Sequence, residues 1–352
     1  MKIATLPTAA GPEQDAFRRD FRQAAGRLRP AGPWREAAPP EALVEAQAVA
    51  AWPAPRELFL AYGDDGALLA SCGASIALTD PAQGFLGFFE AADGAAGQAA
   101  ARAVLAAGEA WLGAKGARRA LGPVNLCTWL PYRFQAEAFA APPRPWEPCS
   151  PPHYLALWQA AGYLPAEHYF SEAARLVPAA AVANAAPLAK AEAHGYVFRP
   201  FERDPQRFMS EEVEVLHRLT LASFSDNFLF EPLPLEFFRQ LYLPIVGKLA
   251  AARFSWFALA PDDGAPCAFL FAFEEQGSLV LKTVGVVPAH RGHSLQMALL
   301  QKAVEQAVFE GLATAVSALL KAGIASEKIP ALFAKTGGAL WRHRYVLLEK
   351  AL

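Results

Sequence analysis

Arg291, Gly292, His293 and Ser294 lie between an apolar run at 279–287, which breaks at Pro288, and an amphipathic run at 295–310. That order predicts a strand, a tight turn and a helix, which bring unpaired backbone N–H groups and the positive end of a helix dipole to one point. Such a point binds anions. Because Arg291 adds a planar cation that can grip two phosphate oxygens, the guest expected from residue types alone is a phosphorylated cofactor rather than a carboxylate. The plain alternative is an ordinary strand-to-helix connection with a surface arginine.

The elements needed to hold this turn occur twice in the chain. Residues 57–62 turn at Gly63-Asp64-Asp65-Gly66 into 67–78, and residues 254–260 turn at Pro261-Asp262-Asp263-Gly264 into 265–273. Both read as Asp-Gly hairpins. Each is followed by an apolar strand (85–89 and 279–287) and a long helix, with ends expected at Gly113 and Gly311. Gly264 follows Gly66 by 198 positions, and Gly311 follows Gly113 by the same 198, which argues for duplication. Gly337 follows Gly162 by only 175, so the first half carries about 23 extra residues. They fall in 122–152, where Trp129, Tyr132, Phe134, Phe139 and Trp146 stand among eight prolines. This stretch is expected to be an ordered excursion, either a lid over its own core or a wall of a substrate cleft.

Residues 177–195, rich in alanine with two prolines, read as the joint between halves, with a boundary near 188. The second half then runs strand 196–201, helices 210–223 and 235–249, hairpin, motif strand and helix, strand 313–320, helix 326–336 and strand 341–349.

The segment Val286-Val287-Pro288-Ala289-His290-Arg291-Gly292-His293-Ser294-Leu295-Gln296 resembles the acyl-CoA-binding motif of the GNAT superfamily of N-acyltransferases: strand, then Arg-x-x-Gly-x-Gly/Ala, then helix. The resemblance covers about the last 160 residues well and the first 175 more faintly. It implies an α/β protein of two tandem GNAT-like domains, each a mixed, mostly antiparallel sheet flanked by helices: a degenerate one at 1–188 with the 122–152 insertion, and an acyl-CoA-binding one at 189–352. Ser294 and Gln296 depart from the family's glycines and restrict close approach of a pyrophosphate. In the first half, 91–97 has no Arg-x-x-Gly pattern and carries Asp93, so one cofactor site per chain is expected.

The resemblance further implies direct acyl transfer to an amine, with acetyl-CoA or another acyl-CoA as co-substrate and no metal. Val286, Val287, Arg291, Gly292, His293, Ser294, Leu295 and Gln296 would hold the cofactor, one Val amide stabilising the oxyanion. An amine of pKa about 10 must lose a proton, for which Glu274 and Glu275, at the end of the strand before the motif, are candidate bases. Their alternative is a solvated turn. Phe333 stands where many relatives have the tyrosine that protonates the leaving thiolate; Tyr345 or His290 are the substitutes. Asp226, Asn227, Phe228 and Glu231 fall where the fold shapes its acceptor pocket, although helix capping and a Pro-ended turn explain them equally well.

Composition narrows the field. With 352 residues, 54% of them hydrophobic, the chain is long enough for two cores, and a net charge of −2 without basic clusters disfavours nucleic acid. No run of 18 apolar residues and no signal pattern occur, so no membrane partner and a cytoplasmic location are expected. Cys72, Cys127, Cys149 and Cys267 lack metal spacing and read as reduced, mostly buried thiols. His290 and His293 find no third ligand, and no nucleophile elbow or P-loop occurs. Three functions survive: an N-acyltransferase acting on a small-molecule or amino-acid amine as monomer or homodimer; an aminoacyl transferase of the tandem-GNAT type, disfavoured by charge; and a non-catalytic acyl-CoA- or ligand-binding protein.

Overall fold

The computed structural model describes residues 1–44, 52–140, 144–183, 185–246, 252–324 and 327–352, with 181–183 and 242–246 in backbone only. Pro142 and Pro143 of the insertion, and the expected helix ends at 247–249 and Ser326, lie outside the described residues. The chain forms two compact units: residues 1–169 with 229–231 and 343–352, and residues 170–228 with 232–342. These units do not follow the sequence halves that meet near 188.

The first unit contains β1 (Lys2–Thr5), α1 (Pro12–Leu28), β2 (Arg56–Tyr62), β3 (Leu68–Ile76), β4 (Gln83–Ala91), α2 (Gly94–Ala114), β5 (Arg119–Gly122), β6 (Phe134–Gln135), α3 (Pro152–Ala160) and the start of β7 (Leu164–Arg175). β1 to β4 pair antiparallel in order and β4 pairs parallel with β5. β5 then pairs antiparallel with the C-terminal strand, Ala339–Ala351. Helix α2 buries Ala100, Ala101, Val104, Leu105 and Leu112 on one side of this sheet. Phe17, Phe21, Ala24 and Leu28 of α1 pack with Leu58 and Leu60 of β2. Each fully buried leucine or phenylalanine contributes roughly 1.5–3 kcal/mol.

The second unit contains the end of β7, α4 (Pro178–Ala183), α5 (Ala185–Ala193), β8 (Val197–Pro200), α6 (Val213–Phe224), α7 (Leu235–Val246), β9 (Trp256–Leu259), β10 (Pro266–Glu275), β11 (Ser278–Val286), α8 (Leu295–Phe309), β12 (Thr314–Lys321) and α9 (Lys328–Gly337). Its strand order is β7-β12-β11-β10-β9-β8, mirroring β5-β4-β3-β2-β1 with one added strand. The added strands are exchanged in part: the end of the first half's last strand, β7, from Phe170 on, belongs to the second unit, and the second half's last strand belongs to the first from His343 on. Each sheet is therefore mixed and mostly antiparallel, with flanking helices, as expected.

Two expectations change. The alanine-rich joint is helical, as α4 and α5, and Ala180, Leu188 and Ala191 pack in the same core as Ala298, Leu299 and Ala303 of α8. Alanine's helix propensity outweighs the weak periodicity of the segment. The glycine that reverses α2 is Gly116 (φ 94), not Gly113, with Ala117 N–H donating to Leu112 O. Its counterpart Gly311 (φ 77) closes α8 the same way, Leu312 N–H donating to Ala307 O. The repeat thus rests on strand order and on the hairpins. In these, Asp65 and Asp263 each accept from the next-but-one amide, at 3.0 and 2.8 Å, while Gly66 and Gly264 take positive φ.

Candidate functional site

After β11 the chain makes a single helical turn at Pro288–His290, then crosses Arg291, Gly292 (φ 88), His293 and Ser294 (φ 63, ψ 14) into α8. Met297 N–H and Ala298 N–H donate to Ser294 O, so the amides of Leu295 and Gln296 lie ahead of the first helical hydrogen bonds. A Cβ on Gly292 would meet nothing within 4 Å, so glycine is needed there for its dihedral and not for space. Ser294 adopts the left-handed geometry of a glycine while keeping its side chain, which makes no cap hydrogen bond. The loop has the backbone shape of an anion cradle.

Beside it, β11 and β12 part. Their parallel pairs run from Ser278–Thr314 to Leu281–Ser317, and the register between β10 and β11 shifts at Lys282, where a bulge bends the strand. Gly285, a residue compatible with such a bulge, lies beyond it in regular register with Phe269. That glycine instead admits α6: a Cβ there would stand 2.6 Å from Phe269 and 3.0 Å from Ser223. β11 continues along β10 to the Ala268–Val286 pair, after which Val287 N–H donates to Cys267 O at 3.0 Å. Since successive amides alternate sides, Val286 N–H faces the edge from which β12 has departed. Of the two valines marked by the sequence, Val286 is the one with an amide directed at the fork. The hydroxyls of Ser317, at the vertex, and Ser223 are buried and find no hydrogen-bond partner among the described residues.

Arg291 and Asp226, assigned from sequence to opposite substrates, are joined. Nη1 and Nη2 of Arg291 reach Oδ2 and Oδ1 of Asp226 at 2.8 and 3.2 Å, Nη2 also donates to Ser223 O, and Nε lies 3.4 Å from Val286 O. The hydrogen bonds from Arg291 hold the Asp226 carboxyl below its usual range. Asn227 closes the turn by donating from its amide to Phe224 O, and Lys321 sits over the Phe228 ring at 4.7 Å. His293 packs against the rings of His194 and Tyr196, while Tyr196 OH lies 3.0 Å from His290 Nδ1. This ring cluster ties the loop to the segment just after α5 and was not foreseen.

Four sequence candidates lie elsewhere. Glu274 and Glu275 pair with Leu279 and Ser278, at the far end of the hairpin from Val286, about 20 Å away at strand rise. Adjacency in sequence misled because a strand entering a hairpin runs away from where its partner ends. Glu274 is instead bridged to Arg253, which also holds Glu310. Glu231 is fully buried in the first unit, accepting from Leu78 N–H at 2.6 Å and Thr79 Oγ1 at 3.1 Å. Burial pushes its carboxyl up, against the pull of those bonds. Tyr345 also belongs to the first unit, buried and paired with Gln135. Phe333 is buried in the second unit's core.

The first unit's equivalent fork is filled. Its parallel pairs end at Phe85–Leu121, and beyond them Val124 N–H donates to Leu86 O at 2.7 Å while Asn125 Oδ1 accepts from Phe88 N–H at 2.6 Å. A Cβ on Gly87 would stand 2.2 Å from Val124 O. Farther along the insertion, Thr128 Oγ1 donates to Leu229 O and Trp129 Nε1 to Glu231 O. β4 also enters α2 after two residues, with Asp93 capping the helix through Gly94 N–H. Asn125 carried no signal in the sequence beyond its place in the Pro-rich insertion.

Among the described residues no group of three or more His, Cys, Asp or Glu is placed to hold a metal, and no helix is long and apolar enough to cross a membrane. All four cysteines are free; burial pushes the Cys127 thiol to about 12 and Cys267 to about 11.

Residues 185–318 match the family model of the acetyltransferase (GNAT) domain. No curated protein matches significantly. Among solved structures, a tandem GNAT protein from the clavulanic acid biosynthesis pathway is similar over 99% of this chain and 98% of its own, at TM-score 0.54 and 14% identity. A GCN5-related glucosamine N-acetyltransferase region of a fungal multi-domain GH3 β-N-acetylglucosaminidase is similar at TM-score 0.55 and 12% identity, over 99% of this chain and 38% of that one. A probable N-acyltransferase from Enterococcus faecalis V583 is similar at TM-score 0.52 and 9% identity, over 100% and 73%. At these identities the likeness is one of fold. The chain has a tandem GNAT fold, and its residues 185–318 match the GNAT acetyltransferase domain model.

Proposed function

We propose that this protein is an acyl-CoA-dependent N-acyltransferase, with acetyl-CoA as donor and a small-molecule or amino-acid amine as acceptor. The observation that carries the reading is the left-handed loop at 291–294, with the amides of Leu295 and Gln296 ahead of the helix, set beside an edge of β11 that β12 has left. Acyl-CoA, when bound, supplies an activated thioester. The loop amides would bind its pyrophosphate, and Val286 N–H would hold the thioester carbonyl oxygen as negative charge grows there. The amine's lone pair attacks the carbonyl carbon, the C–S bond breaks, and the amine's proton passes to water. A thiolate of pKa about 8–9 leaves without a dedicated acid, which fits Phe333 at the tyrosine's place. One donor site per chain, in the half beginning near residue 189, follows from the same reading.

A second reading, a non-catalytic acyl-CoA-binding protein, is favoured by Phe333 and by the remoteness of Glu274 and Glu275 from the fork. Thermal-shift titration with CoA, acetyl-CoA and longer acyl-CoAs, followed by thiol release from acetyl-CoA over a panel of amines, separates the two. Stabilisation with release supports the first reading. Stabilisation without release by any amine supports the second, and no response to any CoA overturns both.

A further inference from the structure

The guanidinium of Arg291 has an acceptor for each of its nitrogens, and two of them share one carboxylate in a fork-to-fork geometry, at 2.8 and 3.2 Å. This is the arrangement in which an arginine also holds two phosphate oxygens. Asp226 thus presents to Arg291 what a pyrophosphate would present. The two side chains are 44% and 61% exposed, so the pair is weak enough to exchange and open to an arriving ligand. Arg291 is tied by its other contacts to Ser223 O and Val286 O, so it stays at the loop whichever anion it holds.

We propose that Asp226 is a positioning residue for the donor: it occupies and orients Arg291 in the free protein and yields it to the pyrophosphate of CoA. The proposal rests on the reading of the loop as the CoA site. It assigns Asp226 a role on the donor side, where the sequence pointed to the acceptor. A simple carboxylate offers Arg291 the same two oxygens and single charge that Asp226 already supplies, whereas a diphosphate brings more charge, so the exchange favours ligands with a pyrophosphate over simple carboxylates.

The test is calorimetric titration of the full chain with CoA, in wild type, Asp226→Asn, Arg291→Ala and the double variant. Removing the competing carboxylate should tighten CoA binding about three- to fivefold, the scale of an exposed ion pair. On the Arg291→Ala background the same substitution should change affinity by less than about 1.5-fold, leaving only long-range repulsion between Asp226 and the phosphates. Equal or weaker binding by Asp226→Asn, or the same gain on both backgrounds, would overturn the exchange while leaving the CoA site standing. A wild-type protein that does not bind CoA would overturn the site and the exchange together. Asp226→Ser, which removes the carboxylate without adding an amide, should repeat the gain; a gain confined to asparagine would count against the exchange.

Discussion

In the first unit the edge of β4 beyond Phe85 is taken by the chain's own Val124 and Asn125, whereas in the second unit β11 continues past Leu281 with Val286 N–H turned to an edge that β12 has left. Strand order and pairing are otherwise alike. The difference lies in the segments that leave each parallel pair. After β5 comes a Pro- and aromatic-rich insertion that satisfies the β4 edge internally; after β12 comes a short connection to α9. The strand-to-helix links differ in the same sense: two residues capped by the Asp93 carboxylate in one unit, eight residues with two left-handed positions in the other. A fork binds a ligand only where its backbone donors have no partner from within the chain.

The largest effect expected from attacking that comparison is at Gly87. Gly87→Ala places a methyl against Val124 O and should destabilise the first unit by about 2 kcal/mol, read from a denaturant midpoint, without altering CoA titration. An unchanged midpoint would show that the filled fork is loosely held. Asn125→Ala strands the Phe88 amide and should cost about 1–2 kcal/mol, with faster hydrogen exchange at Phe88 as the local signature. In the second unit, Arg291→Ala should weaken CoA about fivefold, less than a free guanidinium would supply because Asp226 must first release it; unaltered CoA affinity would remove Arg291 from the site. The smallest effect is at Ser294. Replacing it by glycine relieves a left-handed backbone but loosens the unfolded chain, for a net gain near ~0.5 kcal/mol, and CoA affinity should hold or improve. A collapse of binding would make the hydroxyl itself a ligand.

Much of this was legible in the chain. The Asp-Gly hairpins, the strand-loop-helix around Arg291 and the doubled element order are written in local residue types, and the structure has them. What local reading missed is long-range. Glu274 and Glu275 are near the motif in sequence but at the other end of a hairpin, and Glu231 leaves its segment to be buried under Leu78 and Thr79, 153 and 152 positions away. The Arg291–Asp226 pair spans 65 positions and links two segments that separate motifs had marked for different ligands. The first 28 residues gave no motif at all, yet they supply β1 and α1.

The exchange of final strands bears on how this chain can be divided. A fragment cut near residue 188 would carry β7 with no β12 beside it, and the remainder would carry Ala339–Ala351 with no β5. Each piece would present raw strand edges and lack the one strand that finishes its sheet, a recipe for aggregation when expressed alone. Mixed together, the pieces hold complementary strands, so fragment complementation, rather than truncation, is the route to studying either half.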